Sequence, residues 1–162
     1  MKFNIVDNFL PQKDFDEIKN LITGPSFPWY YNSSIAFHES QKENDYYFTH
    51  IFYENDSRSN FFNLINNKIL CKIKFFTIKR IKANFYPRTE KLIFHKKHVD
   101  YNVPHKAMVF CINTCDGFTV VEKNTKIQSI ENRALFFDPS KKHNSTTCTN
   151  TKGRFNINFN YI

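Results

Sequence analysis

The chain has 162 residues, 23 Lys and Arg against 15 Asp and Glu, a formal charge of +8, and 19 phenylalanines. That length suits one domain with a sizeable ring-rich core and excludes two, and no apolar run approaches the length of a membrane span. The lysines are scattered, so the positive balance reads first as a solvated surface and only second as a nucleic-acid footprint.

In chain order, Ile5 to Pro11 reads as a short strand leading into a helix. Phe15, Ile18, Leu21 and Ile22 then recur at helical spacing until Gly24-Pro25 stops the run. Residues 24–45 are turn-rich and polar around Phe27-Pro28-Trp29-Tyr30-Tyr31 and predict a long irregular segment. Tyr46 to Tyr53 has strand composition. Ser57 or Ser59 is placed to cap a second helix whose buried stripe is Phe61, Phe62, Ile65 and Ile69. From Phe75 the character changes to short β-rich runs at 75–86, 92–100, 106–113, 117–123, 125–130, 134–138 and 153–161. Turn signals such as Cys115-Asp116-Gly117 and Asp138-Pro139-Ser140 separate them. Helices followed by many short strands predict an α+β, mainly β chain, a jelly roll (double-stranded β-helix) with N-terminal helices packed on one sheet. The whole chain, 1–162, reads as a single domain, with helical support over about 1–72 and the jelly-roll core over about 73–162.

Cys71, Cys111, Cys115 and Cys148 show no zinc-type spacing, and residues 1–10 mix apolar and charged positions rather than forming a signal peptide. A reduced, cytoplasmic protein without a membrane partner is the expectation.

The chemistry concentrates in His98-Val99-Asp100, His143 and Arg154. Residues i and i+2 on a strand point to one side, and a third ligand from a distant strand completes one face of an octahedron. Two histidines and a carboxylate suit a non-haem Fe(II) that keeps positions open for substrate and oxygen. In the last run Phe155, Ile157, Phe159 and Tyr161 alternate with Asn156, Asn158 and Asn160. The apolar set should face the helices. Arg154 shares the asparagines' parity and should face the barrel mouth, where it would grip an acidic co-substrate; a solvated outer strand face is the competing reading.

With these residues in place, the sequence resembles the Fe(II)- and 2-oxoglutarate-dependent dioxygenases. It is most similar to their prolyl-4-hydroxylase-like branch, and within it to small phage-type members. The likeness is carried by Asn84-Phe85-Tyr86-Pro87, His98-Val99-Asp100, Ile112-Asn113, Gly117-Phe118-Thr119, Asn132-Arg133, Phe136-Phe137-Asp138, His143 and Arg154 to Phe159. Asp7 to Leu10 and Phe27 to Tyr30 extend it into the first half.

The resemblance implies that His98, Asp100 and His143 hold Fe(II). It also implies that Arg154 pairs with the distal carboxylate of 2-oxoglutarate, and that Tyr86 and Thr119 complete the co-substrate site. The implied reaction uses O2 and 2-oxoglutarate, with ascorbate as an accessory reductant, to hydroxylate a C–H bond. A phage-encoded member would act in the host cytoplasm. Two positions depart from the family pattern: Asp116 stands where the first Gly of a Gly-Gly-x-Thr turn is usual, and Cys111 stands where many relatives carry a Tyr. The implied partner is a protein or peptide, a prolyl side chain first, with nucleic acid second and a small metabolite third. Rival readings are a non-catalytic jelly roll that binds a partner or structural metal, and a nucleic-acid-binding module.

Among the remaining candidates, His95 reads as a surface residue or a partner behind the ligands, three positions from His98. His38, His50 and His105 read as ordinary polar or structural residues. Cys111 and Cys115 with His105 form a much weaker metal candidate. Trp29 and Tyr30-Tyr31 read as docking of the N-terminal segment before a substrate groove, and Lys96 and Lys97 as a solvated loop before an anion-attracting patch.

Overall fold

The computed structural model describes residues 3–34 and 46–162. In chain order the elements are β1 (Asn4–Val6), α1 (Gln12–Thr23), β2 (Tyr30–Asn32), β3 (Tyr47–Glu54), β4 (Ser57–Arg58), α2 (Phe62–Lys68) and β5 (Ile78–Pro87). There follow β6 (Lys106–Cys111), β7 (Phe118–Val121), β8 (Thr125–Gln128), β9 (Ala134–Phe137), β10 (Asn144–Ser145) and β11 (Gly153–Tyr161). The larger sheet has the order β1-β9-β6-β11-β5-β3-β2, with β4 paired to β3; the smaller is β10-β7-β8. Two antiparallel sheets in this arrangement, with helices on the outer face of the larger one, form a jelly roll.

Strand alternation assigns the two faces. Outward from the larger sheet, Ile81, Phe110, Ile157 and Phe159 join Phe15, Ile18 and Ile22 of α1 and Phe62 and Ile65 of α2 in one core. Phe110 is its pivot, with its ring 5.9 Å from that of Phe9 and 6.1 Å from that of Phe15. Lys68 of α2 reaches Asp14 and Glu17 of α1 at 2.6 and 3.2 Å, joining the two helices at their surface. Between the sheets, Ala107, Val109, Cys111 and Leu135 meet Val121 and Ile127 in a second, smaller cluster. The alternation expected in the last strand is therefore present, with the apolar set toward the helices.

Several element boundaries differ from expectation. Neither Ser57 nor Ser59 is the N-cap of α2. Phe61 holds that position, and the Ser59 hydroxyl accepts the Phe61 N–H at 3.3 Å one turn early. β5 begins at Ile78 rather than 75, where the pairing with β11 shifts register at Asn160/Tyr161. The run at 92–100 is not a continuous strand; its β pairing is limited to the isolated bridges Phe94↔Thr146 and His98↔His143. Residues 24–34 include the short edge strand β2, and the rest of the expected irregular segment, His38 with it, lies outside the described residues.

Asn132 fixes the N-terminal segment against this frame. Its carboxamide accepts from Leu10 N–H at 2.9 Å and donates to Leu10 C=O at 2.8 Å, and its carbonyl accepts from Phe9 N–H at 2.9 Å. Its φ of 57° suits Asn better than most side chains. Asn132→Ala removes two buried hydrogen bonds and adds left-handed strain, so it should destabilise the fold by about 2–4 kcal/mol in denaturant unfolding. A change below about 0.5 kcal/mol would show that the segment is held elsewhere.

Candidate metal centre and anion pocket

His98 and His143 pair across two hydrogen bonds, His98 N–H to His143 C=O at 2.9 Å and the reverse at 3.0 Å. This bridge sets the two imidazoles side by side, with centroids 4.6 Å apart. Two residues on, Asp100 is tied by its N–H to the Pro139 carbonyl at 3.3 Å, within the Asp138-Pro139-Ser140 turn that the sequence marks. Its Oδ1 lies 3.5 Å from His98 Nε2 and 3.6 Å from His143 Nε2. One ligand atom from each of the three residues lies within 4.8 Å of the others.

The donor set suits a metal on chemical grounds. His98 Nδ1 faces the Lys96 carbonyl at 3.2 Å and His143 Nδ1 faces the Lys141 carbonyl at 3.0 Å. Each Nδ1 therefore carries the proton, and each Nε2 is left to share one point with Asp100, the usual outer-shell arrangement of metal-binding histidines. Burial opposes charge on Asp100, but the His143 and His98 imidazoles, with more distant help from Arg80, hold its carboxyl well below the usual range. Asn158 Nδ2 donates to the other oxygen at 3.4 Å. Asp100 is a carboxylate set between two imidazoles.

A cavity runs from His98 and His143, lined further by Tyr86, Thr119, Val109, Ser145, Asn144 and Asn156 among others. Behind its far wall sits Arg154, 0% exposed and among the largest fully buried side chains. Its Nη2 donates to Thr119 Oγ1 at 2.8 Å and its Nη1 to the Thr146 carbonyl at 3.2 Å; Nε has no partner. No carboxylate among the described residues lies within salt-bridge distance of it. Buried charges are ordinarily paired, so this guanidinium is a candidate site for an anion. The solvated-face reading of Arg154 is excluded by its burial.

The chain invests heavily in placing this one side chain. Asn113 clamps the backbone on both sides of it, donating to Gly153 C=O at 2.9 Å and accepting from Phe155 N–H at 2.9 Å. Gly117 leaves room for its stem: an added Cβ would lie 2.8 Å from Arg154 Cδ and 2.5 Å from the Thr147 carbonyl. Gly117→Ala should therefore displace the guanidinium and weaken binding of an acidic ligand at least about tenfold, since misplacements near 1 Å carry losses of that order or more. Wild-type affinity for 2-oxoglutarate in that variant would mean the neighbouring backbone yields without moving Arg154.

Tyr86 stacks on Tyr47 with centroids 5.5 Å apart and lies under the Arg154 guanidinium at 5.9 Å. His95 departs from expectation. It is 4% exposed, not a surface residue. Because 92–100 is not a regular strand, strand parity does not govern it. Its ring lies 5.0 Å from that of Tyr86, and its Nδ1 meets Ser145 Oγ at 2.7 Å. Burial, with the Arg154 and His98 charges, pushes its pKa down to about 3, so it is neutral. The sequence signals that might have located His95, Ser145 and Thr146 are weak, since none sits in a strand with clear alternation.

The other candidates separate cleanly. His50 Nδ1 meets the Pro28 carbonyl at 3.0 Å and His105 Nδ1 the Val103 carbonyl at 2.7 Å, both structural contacts. Cys111 is buried in the apolar cluster between the sheets, and all four cysteines are free. Among the described residues, only His98, Asp100 and His143 group as a metal site. Trp29 packs on Phe27, Phe85 and Phe155 at 5.0–6.0 Å, docking the N-terminal segment, whereas Tyr30 and Tyr31 are exposed. Lys96 and Lys97 are exposed, and Lys97 bonds Asn124 at 2.6 Å. None of the described helices is long and apolar enough to cross a membrane.

No protein-family model and no curated protein matches the chain. Solved structures do. A Trichoplax adhaerens prolyl hydroxylase, solved with a hypoxia-inducible-factor degradation-domain peptide, is 15% identical with a TM-score of 0.70, over 99% of this chain and 83% of its own. The viral collagen prolyl hydroxylase of Paramecium Bursaria Chlorella virus-1, as a 2-oxoglutarate complex, is 13% identical with a TM-score of 0.61, over 100% and 97%. HygX from Streptomyces hygroscopicus, with nickel and 2-oxoglutarate bound, is 8% identical with a TM-score of 0.61, over 98% and 82%. At these identities the likeness is one of fold: this chain has the fold of prolyl-hydroxylase-type 2-oxoglutarate oxygenases.

Proposed function

We propose that this protein is an Fe(II)- and 2-oxoglutarate-dependent oxygenase that hydroxylates a protein or peptide side chain, a prolyl residue first. The observation that carries the reading is the buried Arg154, without an acidic partner among the described residues, whose guanidinium bonds Thr119 in the wall of the cavity that His98 and His143 also line. On β11, Arg154 precedes Asn158, which touches Asp100, by four residues, or about 13 Å of strand. A five-carbon dicarboxylate that chelates a metal at one end and meets a guanidinium at the other suits such a span.

Iron, when bound with 2-oxoglutarate and O2, supplies the oxidant; the balance is one C–H bond to C–OH with succinate and carbon dioxide released. The protein's own residues do the rest. His98, Asp100 and His143 offer one face of ligands and leave the opposite positions open. Arg154 fixes the distal carboxylate, with Thr119 orienting its fork and Tyr86 covering it. The apolar cluster of Val109, Cys111, Val121 and Leu135 keeps the inner end dry. The preference for a peptide draws on two likenesses, to a prolyl hydroxylase solved with a peptide and to a collagen prolyl hydroxylase. Incubation of the iron-loaded protein with 2-oxoglutarate and proline-containing peptides should yield succinate and a mass gain of one oxygen on the peptide. Succinate release that no peptide stimulates would move the reading to a nucleobase or small-metabolite substrate.

A further inference from the structure

The inner face of the larger sheet carries a second set of cations that the co-substrate does not use. β5 and β11 form a ladder whose inward pairs are Tyr86↔Arg154, Asn84↔Asn156, Lys82↔Asn158 and Arg80↔Asn160. Asn158 donates to Asp100, so Lys82 stands level with the metal ligands and Arg80 one step beyond, on the side away from Arg154. An acidic co-substrate stretched between Arg154 and the metal ends where these two cations begin.

Lys82 has little to compensate its charge. Its Nζ donates to Tyr47 Oη at 3.1 Å, and no carboxylate among the described residues lies within salt-bridge distance. Burial, with repulsion from Arg80, pulls its amine down to about 8, opposed by Asp100 and Glu54. Arg80 is better served, with Glu54 at 3.8 Å and the Tyr101 ring at 5.4 Å, but its buried Nε is unpartnered. With Asp100 assigned to the metal and Arg154 to the co-substrate, Lys82 is left as the cation without a carboxylate partner among the described residues, and Arg80 behind it is only partly compensated by Glu54. A half-buried ammonium on an interior face is destabilising unless an anion visits it.

We infer that the peptide substrate presents a carboxylate side chain, Asp or Glu, beside the residue to be hydroxylated, and that Lys82 receives it with Arg80 behind. The inference rests on the oxygenase reading above. A peptide carboxylate fits better than a nucleic-acid backbone because these cations sit on an inner face rather than along an exposed stripe. Tyr47 and Tyr101 flank the two cations and supply ring surface for the neighbouring residue.

The test uses the full chain, anaerobic with Fe(II) and 2-oxoglutarate and, in parallel, without them. Acetylated, amidated pentapeptides Gly-Xaa-Pro-Xaa-Gly with Xaa as Glu, Gln or Lys are the probes. Modification of Lys82 by an amine-selective reagent is followed by mass spectrometry, and peptide binding by NMR titration. The Glu peptide should slow Lys82 modification and bind about tenfold or more tighter than the Gln peptide, with Lys82→Met abolishing the difference. Co-substrate affinity in Lys82→Met should stay within about twofold of wild type, as for independent sites. Equal binding of Glu and Gln peptides would overturn the inference, as would protection by inorganic phosphate but not by the Glu peptide. A loss of 2-oxoglutarate binding in Lys82→Met as large as in Arg154→Ala would also overturn it, by making Lys82 part of the co-substrate grip. If wild type fails to bind 2-oxoglutarate while the Glu peptide still protects Lys82, the oxygenase reading fails and the acidic-peptide site stands.

Discussion

Asp100→Asn and Asp100→Ala should each lower Fe(II) affinity by at least about 100-fold, beyond the 10- to 100-fold usual for loss of an outer-shell partner. Turnover should vanish with the metal. The physical ground is that Asp100 is the only anion of the cluster, and its Oδ1 sits 3.5 and 3.6 Å from the two imidazole Nε2 atoms. Without it the site holds two neutral donors, which bind many divalent ions weakly. Asp100→Asn keeps the volume and a polar partner for Asn158, so the metal-free protein should remain folded. The lowered pKa of Asp100 means that its charge itself adds some stability near neutral pH, so a modest fall in melting temperature is expected alongside the loss of metal affinity. Metal titration of wild type and both variants, with thermal melts beside them, separates loss of a ligand from loss of the fold. Unchanged metal affinity in a folded Asp100→Ala protein would remove Asp100 from the ligand set.

Arg154→Ala should weaken 2-oxoglutarate binding by roughly 30-fold to several thousand-fold, the range for truncating one side of a buried charge pair at 2–5 kcal/mol. Metal affinity in the absence of co-substrate should be unaffected, because His98, Asp100 and His143 make no contact with Arg154. Arg154→Lys should recover only part of the loss. A Lys brings the charge but not the planar fork that Thr119 and the Thr146 carbonyl hold in place. The substitution to Ala also opens a cavity at a fully buried position, so the melting temperature will fall. The comparison that matters is therefore the ratio of 2-oxoglutarate to metal affinity, which a purely structural loss would leave unchanged.

The site was legible where strand parity and turn chemistry act together. Arg154 could be placed inward because Phe155, Ile157, Phe159 and Tyr161 have an unbroken apolar alternation, and the structure puts that set on the helices. His98, Asp100 and His143 were legible as a constellation, and a pair of backbone hydrogen bonds brings the histidines together without a continuous strand. Parity failed in that same segment. His95 reads from the sequence as a surface residue or a partner behind the ligands; it is buried, because its N–H bonds the Ser145 carbonyl while the stretch around it makes only isolated bridges. The cap of α2 was misplaced for a related reason: Ser57 pairs into β4 across from Glu54, and Ser59 is drawn into the turn that follows, so neither is available at the helix start. Lys82 and Arg80 carry no sequence signal that separates them from the other scattered cations. Only their register opposite Asn158 and Asn160 reveals that they face the metal ligands.

The central claim is that one cavity holds a metal on His98, Asp100 and His143 and an acidic co-substrate on Arg154 at the same time. An anaerobic titration of the protein with Fe(II) and then 2-oxoglutarate, followed in the visible, reads that directly as the charge-transfer band of the chelate. The band should appear in wild type, be absent in Asp100→Ala, and saturate only at much higher 2-oxoglutarate in Arg154→Ala. A folded, iron-loaded wild-type protein that shows no band on adding 2-oxoglutarate would contradict the account and leave a jelly roll that binds metal without this chemistry.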